Sequence, residues 1–138
     1  MTAFLDANIV IDAFADFADP RKHSIARDLA QSLSADGECI VSPQVLKEFA
    51  NVCTRRLRGQ LSEEVILQLL RQLSRIPSVE TTATLILAAV RRHFANRISF
   101  YDALIIEAAI AGGADVLYTE DLQHGQVFDG LRIVNPFL

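Results

Sequence analysis

The sequence has few of the residues that form disulfide bonds in small secreted proteins or that bind zinc. It contains two cysteines, Cys39 and Cys53, in no metal-ligand spacing, and three scattered histidines. Both cysteines lie among apolar neighbours, which favours two buried free thiols in a reducing compartment. These shortages argue against a disulfide-framed extracellular module and against a zinc site. We therefore expect a cytoplasmic protein.

Long apolar runs are missing as well. No run approaches the roughly 20 residues that a transmembrane helix needs, and the amino terminus lacks the basic region and apolar core of a secretion signal. The 138 residues are 51% hydrophobic and contain no repeat or Pro/Gly-rich linker. This composition predicts one compact domain over residues 1–138, with no membrane segment.

The chain also lacks an excess of basic charge. The formal net charge is −4, which argues against a protein that simply coats nucleic acid. Eleven of the thirteen basic residues are arginines, and the arginine fork matches phosphate oxygens two at a time. Two interpretations stay open, a phosphate-bearing partner and a compositional bias of the genome.

What the chain does contain is an alternation of short apolar segments and helical patterns. Such alternation predicts an α/β fold with a central parallel sheet of about four to five strands, flanked by helices. In folds of this class ligands bind outside the carboxyl ends of the strands. The predicted strands are residues 2–6, 38–42, 78–81, 114–119 and 131–135, and the predicted helices are residues 8–16, 20–36, 43–58, 62–74, 84–96 and 99–112.

Four acidic residues fall where that rule makes them informative. Asp6 ends the first predicted strand and Asp121 follows the "VLYT" strand. Helical-wheel positions place Glu48 and Asp102 at or beside the core-facing side of their helices. Several carboxylates in one cleft repel each other unless a cation binds them. Their oxygens suit Mg²⁺ or Mn²⁺, which can activate water for attack on phosphorus.

Each acid also has a simpler interpretation. Asp6 is placed to cap the following helix, and Asp102 forms a Ser-x-x-Asp pattern with Ser99 that resembles a capping box. Glu48 is positioned to pair with an arginine, and Asp121 to start a turn. A wide apolar face follows on the helix after Ser62, and we expect most of it to be core; its members are Val65, Ile66, Leu69, Leu70 and Leu73.

Four segments together resemble PIN-domain ribonucleases, most closely the VapC toxin group of toxin–antitoxin pairs. They are "FLDANIVID", "SPQVLKEF", "SFYDALIIEAAIAGGADVLYTEDL" and "IVNPF", and the resemblance runs from Thr2 to Phe137. It implies a PIN domain and an endoribonuclease that uses Mg²⁺ or Mn²⁺, a toxin inhibited by a cognate antitoxin and usually a homodimer. It also implies that Asp6, Glu48, Asp102 and Asp121 are the catalytic metal ligands, and that Asn8 and Thr119 orient a ligand or water.

The alternatives left open belong to other functional classes. One is a PIN-fold binding module without catalysis, and the other is a receiver-like phosphoacceptor domain. The latter needs a lysine after its last strand, whereas the two lysines, Lys22 and Lys47, lie in the first half of the chain. Neither a G-x-G-x-x-G pattern nor a P-loop is present. Arg55, Arg56 and Arg58 either stabilise a helix carboxyl end or contact RNA or an acidic antitoxin segment.

Overall fold

The fold consists of five short strands and six helices in the described part of the chain. The computed structural model describes residues 1–14, 19–55 and 59–138. The strands are β1 (Ala3–Leu5), β2 (Cys39–Ile40), β3 (Val116–Tyr118), β4 (Val127–Phe128) and β5 (Leu131–Val134). The helices are α1 (Ala7–Phe14), α2 (Pro20–Ala35), α3 (Pro43–Arg55), α4 (Glu63–Ser74), α5 (Ala83–Asn96) and α6 (Phe100–Ala111).

The strands form one sheet in the order β2-β1-β3-β5-β4. β1 lies between β2 and β3 and pairs with both in parallel, and β3 pairs in parallel with β5. The predicted α/β fold with a central parallel sheet is therefore confirmed for four strands. β4 corrects it, because this edge strand is antiparallel to β5.

β4 was not predicted from the sequence, although a hairpin signal precedes β5. Asp129 and Gly130 both have positive φ, at 49° and 86°, and Phe128 pairs directly with Leu131 across them. Asp-Gly is a preferred pair for a two-residue hairpin turn, because both positions need φ > 0. The opposite error concerns residues 78–81, where the predicted strand reduces to a single bridge between Ser78 and Val41.

The predicted helix starts are confirmed where a polar side chain accepts a first-turn N–H. Asp19 accepts from Arg21 and Lys22, and Ser62 accepts from Val65. Ser42 differs from this pattern. Its carbonyl accepts the first backbone bonds of α3, but its hydroxyl has no partner among the described residues.

The core lies between the sheet and the helices and includes the fully buried Phe4, Phe49, Ile106, Leu117 and Ile133. α1 packs on α2 and α3, and α5 packs on α6. The α4 face is less buried than expected. Leu73 is 1% exposed and Val65 is 40% exposed, while Ile66, Leu69 and Leu70 pack against the core only in part. No helix in the described ranges is long and apolar enough to cross a membrane.

Candidate active site

The site is built around Asp6, which follows β1 at its carboxyl end. The β1 pairing with β3 places Leu5 opposite Tyr118, and the Asp6 N–H donates to the Tyr118 carbonyl at 3.1 Å. The next residue of the neighbouring strand, Thr119, therefore lies beside Asp6. Its hydroxyl donates to Asp6 Oδ2 at 2.8 Å, and the Ala7 N–H donates to Asp6 Oδ1 at 2.7 Å. Both oxygens of the Asp6 carboxylate are thereby oriented.

Asp121 is connected to Asp6 through two uncharged side chains. Asn8 Nδ2 donates to Asp121 Oδ2 at 2.9 Å and, more weakly, to Thr119 Oγ at 3.4 Å. The Asp121 N–H also donates to Thr119 Oγ, at 3.2 Å. The Thr119 hydroxyl thus donates once and accepts twice, and Thr119 is fully buried. Asn8 and Thr119, for which the resemblance implies a role in orienting a ligand or water, hold the two carboxylates in one hydrogen-bonded network.

Glu48 lies one turn into α3 and is exposed, so its predicted position beside the core is wrong. The expected arginine partner is also wrong within the described residues. The hydrogen-bond partner of Glu48 is Gln44, whose Nε2 donates to Glu48 Oε1 at 2.9 Å, and Arg27 lies instead near Asp28 at 3.7 Å. Glu48 is nevertheless close enough to Asp6 for its charge to act on that carboxyl.

Asp102 occupies the first turn of α6 and is half-buried. Its N–H donates to Ser99 Oγ at 3.0 Å, so the predicted Ser99 cap is confirmed. The Asp102 carboxylate takes part in no hydrogen bond or ion pair with the described residues. Its role as a ligand beside Asp6 stays a prediction.

Electrostatics single out Asp6. Burial raises the pKa of the Asp6 carboxyl from 3.8 to about 6, because desolvation penalises the charged form. The Thr119 and Ala7 hydrogen bonds lower this pKa, and the negative charges of Glu48 and Asp121 raise it further. A group whose charge is disfavoured by burial and by like charges is a candidate functional group.

The four candidate carboxylates are chemically suited to bind a hard divalent cation. They supply carboxylate oxygens, and none of Asp6, Glu48, Asp102 and Asp121 pairs with a described lysine or arginine. Other acids in the chain do form such pairs, as Glu120 does with Lys22 at 2.7 Å. Within residues 1–14, 19–55 and 59–138 no three Asp, Glu, His or Cys side chains are already grouped closely enough to hold a metal ion.

Buried polar atoms without partners add to this picture. Three occur in the described part of the chain, and they are Asn8 Oδ1, Ser42 Oγ and Gln44 Oε1. Sequence patterns alone assign no functional role to Ser42 or Gln44. Gln44 could have been identified from its position four residues before Glu48, which places both side chains on the same side of α3. Arg55 lies in the last turn of α3, whereas Arg56 and Arg58 lie outside the described residues.

The comparisons with known proteins agree with this fold. The PIN domain family model matches residues 3–127, and the chain belongs to the PIN domain family. A structural match is VapC20 of Mycobacterium tuberculosis, described as a toxin that cleaves the sarcin–ricin loop, at 21% identity and a TM-score of 0.64. The match covers 87% of this chain and 90% of VapC20. No curated protein matches the chain. Family membership removes the receiver-like alternative.

The raised pKa of Asp6 predicts how stability depends on pH in the metal-free protein. Between pH 4 and pH 6 the folded chain holds a proton on Asp6 that the unfolded chain has already lost, so the free energy of unfolding falls as pH rises. The change from 3.8 to about 6 corresponds to about 3 kcal/mol. Asp6→Asn carries no such proton, so its stability relative to wild type should rise by about that amount from pH 4 to pH 7.

Urea unfolding in EDTA at four or five pH values measures this difference. Asp28→Asn is the matched control, because the Asp28 side chain is 69% exposed. Its free energy of unfolding should change with pH in the same way as that of the wild type. Parallel curves for Asp6→Asn and wild type would contradict a raised pKa at Asp6.

Proposed function

We propose that this protein is an endoribonuclease that depends on Mg²⁺ or Mn²⁺ and acts as a toxin of the VapC type. The observation that carries the proposal is the network of Asp6, Thr119, Asn8 and Asp121 at the carboxyl ends of β1 and β3, whose carboxylates lack a cationic partner among the described residues. Membership of the PIN family supports it, as does the likeness to VapC20. A PIN-fold binding module without catalysis is the competing proposal.

In this proposal Asp6, Glu48, Asp102 and Asp121 hold the cation. When bound, the cation supplies Lewis-acid activation of water and neutralises charge on the leaving oxygen. Thr119 and the Ala7 N–H fix the Asp6 carboxylate in one orientation, and Asn8 fixes Asp121. Without a cation the pKa of Asp6 is about 6, so protons compete with the cation for this carboxylate as the pH falls. We therefore expect half-maximal activity to need more Mg²⁺ or Mn²⁺ at pH 5 than at pH 7.

The decisive test is cleavage of total cellular RNA by the purified protein in Mg²⁺, in Mn²⁺ and in EDTA. Wild type should give discrete fragments only with a cation. Asp6→Asn and Asp102→Asn should lower the rate by more than about a hundredfold, since a metal-bound site supplies several kcal/mol of transition-state stabilisation. Their circular dichroism should match that of the wild type.

Asp28→Asn is the control for this assay, as an exposed aspartate on α2, and it should cleave at the wild-type rate. Cleavage by Asp6→Asn at the wild-type rate would overturn the catalytic assignment. Cation binding by wild type without cleavage of any RNA would favour the binding module.

A toxin should act on its own host's RNA inside the cell. We place the protein in the cytoplasm, supported by the buried free thiols Cys39 and Cys53; burial raises the pKa of Cys39 to about 11, so this thiol is unreactive. Induced expression of the chain should arrest bacterial growth, and Asp6→Asn should not. Equal growth under both inductions would contradict the toxin role and remove the reason for a cognate antitoxin.

The proposal includes a homodimer. Its support on this chain is the outer side of α5, where Leu87 is 61% exposed and Phe94 is 75% exposed. Exposed apolar side chains that lie close together are typical of protein interfaces. Light scattering should give about twice the chain mass of 15.2 kDa; a mass of one chain at high concentration would contradict the dimer.

A further inference from the structure

Gln44 has a hydrogen-bonding pattern that local helix structure does not explain. Its Nε2 donates to Glu48 Oε1 at 2.9 Å, while its Oε1 is buried without a partner among the described residues. An i,i+4 pair of this kind stabilises a helix by roughly 0.2–0.5 kcal/mol. Leaving a carbonyl oxygen buried and unpaired costs about 1–3 kcal/mol. The cost exceeds the gain, so the contact with Glu48 is not retained for helix stability alone.

Asn8 repeats the same pattern beside Asp121. Its Nδ2 donates to Asp121 Oδ2 at 2.9 Å, and its Oδ1 is buried without a described partner. Each carboxamide therefore fixes one oxygen of a candidate carboxylate through its NH₂ group. The second oxygens, Glu48 Oε2 and Asp121 Oδ1, receive no hydrogen bond from the described residues.

The location of the unpaired atoms points to a ligand. Buried polar groups in proteins are nearly always satisfied, and an exception calls for an unseen water, an ion or a functional role. Ser42 Oγ is the third such atom, on a residue that is 1% exposed. Ser42 lies between β2 and α3, two residues before Gln44, and β2 pairs in parallel with β1, which Asp6 follows. Two of the three atoms thus belong to side chains that contact a candidate carboxylate, and the third lies two residues before Gln44.

We propose that Gln44 is a positioning residue of the cation site. Its Nε2–H holds Glu48 so that the free carboxylate oxygen is presented to a divalent cation, and its carbonyl oxygen is an acceptor for a water that the cation carries. Mg²⁺ retains several waters when protein carboxylates bind it, and partners that orient metal ligands affect metal affinity strongly. This inference rests on the proposed function, because it presupposes that the site binds a cation.

The test is a direct titration of the full chain with Mn²⁺. Binding is measured by calorimetry or from the electron paramagnetic resonance signal of free Mn²⁺. Gln44→Met keeps the side-chain length and the helix propensity but removes both polar atoms. Its Kd for Mn²⁺ should rise about tenfold, the lower end of the range for groups that orient metal ligands. Its urea stability in EDTA should not fall, because the variant also removes the unpaired carbonyl.

Gln31→Met is the matched control, since Gln31 is exposed on α2, and it should bind Mn²⁺ as wild type does. In RNA cleavage, Gln44→Met should need about ten times more Mn²⁺ for half-maximal rate and reach the wild-type rate at saturation. Mn²⁺ affinity within twofold of wild type would overturn this inference and leave the proposed function standing. Absence of Mn²⁺ binding by wild type would overturn both.

Discussion

The parallel pairing of β1 with β3, closed by the hydrogen bond from Thr119 to Asp6, is the constraint on which the site depends. Leu5 lies opposite Tyr118, and the two strands end together. Side chains alternate between the faces of a sheet, so a slip of one residue would turn Asp6 away from Thr119. Without the Thr119 hydrogen bond, Asp6 would also be disconnected from Asn8 and Asp121. β1 and β3 are only three residues long. The hydrogen bond from the buried Thr119 hydroxyl to Asp6 therefore helps to hold the two strand ends together, in addition to orienting the carboxylate.

At this edge of the sheet, ionisation of Asp6 lowers the stability of the folded chain. Asp6 is 7% exposed, and the charges of Glu48 and Asp121 oppose its ionisation. Elsewhere in the described chain, buried charge is neutralised by partners, as where Arg92 contacts both Glu107 and Asp129. At the strand ends uncharged carboxamides take the place of cationic side chains. Amide donors orient a carboxylate without cancelling its charge, and this preserves its affinity for a cation.

Several features could be predicted from local sequence because their physical causes are local. Ser62 and Ser99 cap helices through contacts three residues away, and alternating apolar segments indicated the strands. Errors arose where burial depended on distant packing. Glu48 is exposed because α1 and α4 pack on α3, with Phe14 of α1 against Phe49, and leave the Glu48 side uncovered. The hairpin strand β4 was missed because two residues carry too little apolar pattern, although the Asp129–Gly130 turn signalled it.

The sequence by itself determined the class of fold, the order of the helices and of the four parallel strands, and the presence of an acid after each of two strands. Only the tertiary structure decided which polar groups meet. Asn8 and Asp121 are 113 positions apart, as are Asp6 and Thr119, and their contacts follow from the order of strands in the sheet. Local patterns leave that order open, because any two parallel strands satisfy the same backbone hydrogen bonds. Gln44 shows the same limit on a smaller scale: its spacing from Glu48 is legible in the sequence, but the burial of its carbonyl oxygen is a property of the folded chain.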